Sequence, residues 1–281
     1  MKKRSLLFAA FIAVIVQTQF AGAQKLPTTQ QTNLRIPAGL KVDGKATEWD
    51  NQFQAYNKST DLFYTIANDD ENLYLIVQAV KPRIIQKIIS VGLTFTVNNT
   101  GKKNDNAKEN IAISYPLLDL TPAYQILFNA GAREKSSVAI DPQIDKQDTT
   151  IYTTKHTDSL ITIANKMLAI NAKTIKVEGI ESLSAEPISV YNEEKIKVTA
   201  TFDKNGNYTY KLAFPLKYLG LTVNDPQKFS YSIRIDGRLV NPKIGLTTHY
   251  TYPYPGSGKV DVDADLNSTT DFWADYTLAK K

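Results

Sequence analysis

The feature that most constrains the fold is an alternation of apolar and polar residues with a period of two. Over Lys195–Phe202 every second residue is apolar, and lysines and threonines stand between them. The segment Asp203–Gly206 follows, and its Asn-Gly step favours a tight hairpin turn. Alternation resumes over Tyr208–Phe214 and again over Phe229–Asp236. Strands with one apolar and one polar face are typical of an antiparallel sheet with a single buried side.

Further short segments with turn residues between them are predicted as strands. They are Leu62–Ala67, Leu73–Val80, Val91–Asn98, Ile111–Tyr115, Tyr124–Phe128, Ser137–Ile140, Pro187–Tyr191, Thr247–Tyr252 and Asp271–Leu278. So many short strands predict an all-β fold, namely an antiparallel β-sandwich of the jelly-roll or immunoglobulin-like kind.

One stretch departs from the strand pattern. Between Leu160 and Ile175 the apolar residues recur at helical spacing, which predicts one amphipathic helix. We expect this helix inside an insertion spanning about residues 120–185. No Gly/Ser-rich or Pro-rich linker and no internal repeat divides the chain, so residues 24–281 are predicted to form a single domain.

The first 23 residues have the three parts of a secretory signal peptide. Basic residues at positions 2–4 precede an apolar run over residues 6–16, and Ala21-Gly22-Ala23 has the form of a cleavage site. We therefore predict cleavage after Ala23 and export to the periplasm or the medium. The apolar run is shorter than the roughly 20 residues that a membrane-spanning helix needs, so no transmembrane segment is expected after cleavage.

Charge and cysteine content exclude several classes of function. The chain has 33 Lys+Arg and 28 Asp+Glu, and the predicted signal peptide takes away three basic residues, which leaves a net charge of +2. So small a charge, with no basic run, predicts no nucleic-acid partner. The absence of cysteine excludes thiol nucleophiles, disulfides and a lipid-anchored lipoprotein.

Four patches along the chain carry a family pattern. They are Val42-Asp43-Gly44 with Glu48-Trp49, then Asn68–Leu75, Tyr208–Pro215 and Phe272–Leu278. In order and spacing they resemble the family 9 carbohydrate-binding modules, part of the DOMON-like group of β-sandwiches. Lys211 stands in the third patch where that family commonly has an acidic residue. The resemblance covers roughly residues 36–280 outside the insertion, and it implies a sugar-binding sandwich that works beside glycoside hydrolases in carbohydrate catabolism.

Aromatic residues near the end of the chain are the candidate ligand-binding residues. Tyr250, Tyr252 and Tyr254 lie in a proline-stiffened loop, and tyrosine offers an apolar ring with a hydroxyl at small entropic cost. Trp273 has the parity of the polar residues in its predicted strand, so it is expected to face outward with Arg234. The alternative interpretation is structural: these rings pack under loops or onto strands, as Trp49 is expected to cap the core.

Two cofactor hypotheses rest on weaker patterns. Asp261, Asp263 and Asp265 supply oxygen ligands of the kind that calcium prefers, although alternation equally predicts a strand with a solvated acidic face. Met167 with His156 or His249 gives the haem-binding alternative, since some DOMON-like relatives hold haem through these residue types.

We found no nucleophile elbow, catalytic triad order, zinc motif or phosphate-binding loop. The sequence therefore predicts a noncatalytic carbohydrate-binding protein without an obligatory cofactor. Its alternatives are a haem-binding DOMON-like domain and a structural or protein-interaction module of the cell envelope.

Overall fold

A computed structural model describes residues 26–36, 42, 53–130, 154–183, 186–237 and 267–281, without the side chains at 120, 124, 128 and 154–157. Several predictions from sequence therefore lie outside the described residues. They are the signal peptide, all but Val42 of the first family patch, and the strands predicted at Ser137–Ile140 and Thr247–Tyr252.

The described strands form two sheets, and every pairing within a sheet is antiparallel. The first contains β1 (Ala55–Asn57), β2 (Leu62–Asn68), β3 (Asn72–Ala79), β8 (Lys197–Phe202) and β9 (Tyr208–Pro215). The second contains β4 (Leu93–Asn98), β5 (Asn110–Tyr115), β6 (Thr174–Glu178), β7 (Ile188–Ser189), β10 (Lys228–Ile235) and β11 (Thr270–Thr277). Their orders are β1-β2-β3-β9-β8 and β11-β10-β4-β5-β6-β7.

The two sheets pack face to face around one apolar core, which confirms the predicted all-β antiparallel sandwich. The Tyr64 ring of the first sheet meets Tyr231 of the second with ring centroids 6.3 Å apart, and the Tyr64 and Tyr231 hydroxyls are 3.0 Å apart. Tyr115 and Tyr210 make a second contact between the sheets, at 6.1 Å. Buried aromatic pairs of this kind hold the two layers together over a large apolar area.

Helices cover parts of the sandwich, and two of them correct predictions made from sequence. They are α1 (Pro82–Val91), α2 (Leu120–Ala130), α3 (Thr154–Asn171) and the short α4 (Leu216–Leu219). The strand predicted at Tyr124–Phe128 was wrong, because these residues lie within α2. The helix predicted from Leu160 to Ile175 ends at Asn171, and Ile175 is a core residue of β6.

Helix α1 was not predicted. Its proline at the first turn fits the helix start, and Ile84, Ile85, Ile88 and Ile89 form a buried stripe. The helices α2 and α3 lie inside the insertion predicted at residues 120–185. Strand β6 lies in the same range, but it is part of the six-stranded sheet. No helix in the described part of the chain is long and apolar enough to cross a bilayer.

Candidate functional site

The outer face of β10 and β11 carries the two candidate residues that the structure describes. Tyr231 and Ile233 of β10 point into the core, so Ser232 and Arg234 project from the opposite face. In the antiparallel register Ser232 lies opposite Trp273, and Arg234 lies opposite Asp271. The structure therefore places Trp273 and Arg234 on one polar surface, on neighbouring strands.

An aspartate joins the two side chains. The indole Nε1–H of Trp273 donates a hydrogen bond to Oδ1 of Asp105, at 3.0 Å. The other carboxylate oxygen of Asp105 lies 3.8 Å from Nη1 of Arg234, and Asp236 Oδ1 lies 3.0 Å from Arg234 Nε. We call Trp273, Arg234, Asp105, Asp236 and Ser232 the Trp273 surface. It combines a half-buried aromatic ring with carboxylate acceptors and guanidinium donors.

The loop between β4 and β5 brings Asp105 onto this face. The side chain of Asn98 starts the loop by accepting hydrogen bonds from the backbone N–H groups of Thr100 and Lys102. Ser230 of β10 donates a hydrogen bond to the Lys102 carbonyl at 2.6 Å, and Lys103 pairs with Asp275 of β11 at 3.0 Å. These contacts hold the loop against β10 and β11, which fixes the position of Asp105.

Asp275 strengthens that attachment. Burial opposes ionisation of this carboxyl, but hydrogen bonds from Lys228 and Lys103 outweigh the burial and lower its pKa. At neutral pH the carboxylate therefore holds both lysines, with Lys228 at 2.8 Å and Lys103 at 3.0 Å. The two ammonium groups are therefore paired with Asp275.

Two polar atoms of the Trp273 surface have no hydrogen-bond partner among the described residues. Ser232 is only 1% exposed, and its Oγ is one of them. The other is the buried Nε of Arg234, because its N–H is not aligned with Asp236 despite the 3.0 Å separation. Buried polar atoms are nearly always paired in native proteins, so Ser232 Oγ is the unsatisfied group of this surface, whereas Arg234 Nε still faces the Asp236 carboxylate.

A glycine allows residues 237 and 267 to approach each other closely beside this surface. Gly237 follows β10, its N–H donates to Oγ1 of Thr269, and a Cβ on it would lie 1.9 Å from the carbonyl oxygen of Asn267. Only glycine fits such a close backbone approach. Residues 237 and 267 are therefore neighbours at the Arg234 end of the sheet. Among the predicted site residues between them, Tyr250, Tyr252, Tyr254, Asp261, Asp263 and Asp265 lie outside the described residues.

Of the residues of the haem hypothesis, the structure describes only the side chain of Met167. Met167 lies half-buried on α3, where its sulfur is 3.8 Å from the side-chain nitrogen of Asn129 and packs against the core. His249, like Trp49, lies outside the described residues, as does the side chain of His156. Within the ranges that the structure describes, no three His, Cys, Asp or Glu side chains are grouped as metal ligands.

Three of the four family patches form framework of the sandwich. Asn68–Leu75 contains the β2–β3 turn, where Asp69 accepts hydrogen bonds from the backbone of Glu71 and Asn72 and from the Tyr74 hydroxyl. Tyr208–Pro215 is β9, next to the edge strand β8, and Phe272–Leu278 covers most of β11. No family model, curated protein or solved structure matches this chain. The likeness to family 9 carbohydrate-binding modules therefore stays a prediction from these patches.

Proposed function

We propose that this chain is an exported, noncatalytic carbohydrate-binding protein whose sugar site is the Trp273 surface. The proposal depends on one observation above all: a half-buried indole on a polar sheet face, with Asp105 and Arg234 beside it. Sugars present apolar C–H faces as well as hydroxyl groups. An aromatic ring surrounded by ionised acceptors and donors complements both features.

Each side chain of this surface has a different role in binding the sugar. The face of the Trp273 ring packs against the C–H face of a sugar, and the Asp105 hydrogen bond fixes the plane of the ring beforehand. Asp105 and Asp236 have side chains that are 45% and 41% exposed, so their free lone pairs accept hydrogen bonds from sugar hydroxyls. Arg234 donates to sugar oxygens. The resemblance to family 9 modules supports this role and adds that of accessory to glycoside hydrolases.

Affinity electrophoresis of residues 24–281 through gels that contain single polysaccharides tests the proposal. We expect at least one neutral polysaccharide to retard the protein, and Trp273→Ala to weaken the retardation at least tenfold, which is about 1.4 kcal/mol. Tyr191→Ala is the matched control, because Tyr191 is an aromatic residue that is 79% exposed between β7 and β8. Retardation by none of the polysaccharides, or equal retardation of Trp273→Ala, would contradict the proposal.

Protein interaction is the second candidate function, and one observation favours it. Helix α3 exposes Ile163 and Ile170, which are seven residues apart and therefore lie on the same side of the helix. Exposed apolar side chains on one face are typical of a protein-binding surface. Pull-downs with the wild type and with an Ile163→Ser, Ile170→Ser variant test this candidate. A partner that both proteins retain equally would count against this surface.

A further inference from the structure

We infer that the Trp273 surface selects uncharged sugars and rejects acidic ones such as uronates and sulfated glycans. This inference rests on the proposed function and names the class of ligand. The charged residues around the Trp273 ring support this inference. Among the described residues, Asp105 and Asp236 face the guanidinium of Arg234, and Asp271 is its cross-strand neighbour, which gives these four residues a formal charge of −2.

The guanidinium of Arg234 already faces two carboxylates. Arg234 faces Asp105 at 3.8 Å and Asp236 at 3.0 Å, so an incoming anion competes with two carboxylates for the same guanidinium. Lys103 and Lys228, which lie on the same face, pair with Asp275. An acidic ligand therefore meets repulsion from the aspartates, while Arg234, Lys103 and Lys228 already face carboxylates.

Hydroxyl groups suit the same arrangement. Ionised carboxylates accept hydrogen bonds and donate none, so they pair with a sugar hydroxyl and not with another carboxylate or a sulfate. Asp105 and Asp236 point partly to solvent, which leaves lone pairs for a ligand. A neutral polyol is the ligand class that supplies hydroxyl donors for them and oxygen acceptors for Arg234.

Ser232 gives an independent indication of a hydroxyl-bearing ligand. It lies between Thr96 of β4 and Trp273 of β11 in the sheet register, and its buried Oγ has no partner among the residues that the structure describes. A hydroxyl both donates and accepts, so it pairs with a sugar hydroxyl directly or through one water. Because Ser232 is almost fully buried, this contact requires displacement of the side chains above it, of which Trp273 is the cross-strand neighbour.

Matched pairs of oligosaccharides test the inference by titration calorimetry. Each pair consists of a neutral oligomer and its C6-oxidised counterpart, for example galactan and galacturonan oligomers of equal length. We expect the neutral member to bind at least tenfold more tightly at low salt. The difference should shrink at 0.5 M NaCl, because the Debye length falls below about 5 Å.

An isosteric double variant, Asp105→Asn with Asp236→Asn, removes two negative charges and keeps the shape of the surface. It should reduce the preference for the neutral member at least threefold. Asp70→Asn removes one charge in the β2–β3 turn, where Asp70 pairs with Arg35 and Lys281, and it should leave the preference unchanged.

The outcomes separate the two claims. Equal or tighter binding of the acidic member would overturn the charge selection and leave the proposed function standing. An unchanged preference in the double variant would also overturn it. Binding of neither member of any pair would overturn the proposed function and the inference together.

Discussion

Removing one phenolic oxygen should have opposite effects at two buried tyrosines. Tyr64 and Tyr210 are both fully buried in the core. The Tyr64 hydroxyl accepts a hydrogen bond from the backbone N–H of Gln30 at 3.0 Å and shares another with the Tyr231 hydroxyl, also at 3.0 Å. The Tyr210 hydroxyl has no hydrogen-bond partner in the part of the chain that the structure describes. Substitution by phenylalanine is therefore the same chemical change in two different environments.

The expected magnitudes follow from the partners left behind. Tyr64→Phe leaves the Gln30 N–H and the Tyr231 hydroxyl unpaired, and at about 1–3 kcal/mol for each unpaired buried group we expect a loss of about 2–6 kcal/mol. Tyr210→Phe removes a hydroxyl whose burial is uncompensated and breaks no bond, so the free energy of unfolding should stay unchanged or rise by up to about 1 kcal/mol.

Urea denaturation at pH 7 measures both effects, provided that the m-values of the variants match that of the wild type. At about 2–4 °C per kcal/mol for a domain of this size, the melting temperature of Tyr64→Phe should fall by about 4–24 °C. The reasoning is refuted if Tyr210→Phe destabilises the protein as much as Tyr64→Phe does, or if Tyr64→Phe has no effect.

Two further predictions concern Asp61, and a third concerns Gly237. Asp61 has a positive φ of 55° and accepts hydrogen bonds from Tyr56, Lys81 and Arg83. Asp61→Ala should therefore lower the free energy of unfolding in urea titrations by about 2–4 kcal/mol, and a loss below about 0.5 kcal/mol would contradict this. Burial opposes ionisation of Asp61, but these hydrogen bonds lower its pKa. The contribution of the Asp61 carboxylate to stability should therefore be complete above about pH 4 and disappear as the pH falls through the depressed pKa. Stability–pH curves of wild type and Asp61→Asn that run parallel below pH 4 would refute this prediction. Gly237→Ala should destabilise the protein by about 1–3 kcal/mol and weaken sugar binding, since the new Cβ would strike the Asn267 carbonyl; a variant with unchanged stability would show that the two backbones are not in contact.

Alternation with a period of two was sufficient to predict much of the sandwich. It predicted β8, β9, β10 and β11 to within two residues at each end, and it placed Trp273 and Arg234 on the outward face. This works because the apolar residues of each of these strands face the core, although in β9 the intervening Thr209, Lys211 and Ala213 are buried as well.

The apolar pattern gave wrong predictions for segments whose buried residues suit a helix and a strand equally well. Tyr124–Phe128 is a short aromatic and apolar run, and such a run suits a packed helix as well as a strand. Ile175 continues the apolar spacing of α3 although it belongs to β6, because both elements face the same core. Short apolar segments are therefore assigned only by their tertiary surroundings.

Asp105 was missed because nothing local marks it. It lies in a polar loop among lysines and asparagines, and its importance comes from contacts with Trp273 and Arg234, which are more than a hundred residues away in sequence. Ser232 has the same parity as Arg234 in its strand, but its flanking by Thr96 and Trp273 depends on the pairing of the strands. Contacts of this kind appear only once the strands are paired.

The indole N–H signal of Trp273 offers the most direct test of sugar binding at this surface. The chain has two tryptophans, so a ¹⁵N-labelled protein gives two indole signals, and Trp273→Phe assigns them. Titration with the neutral oligosaccharide that retards the protein should shift the Trp273 signal in proportion to occupancy, because this N–H is bonded to Asp105 within the proposed site. Binding that leaves the Trp273 signal unmoved would contradict the account.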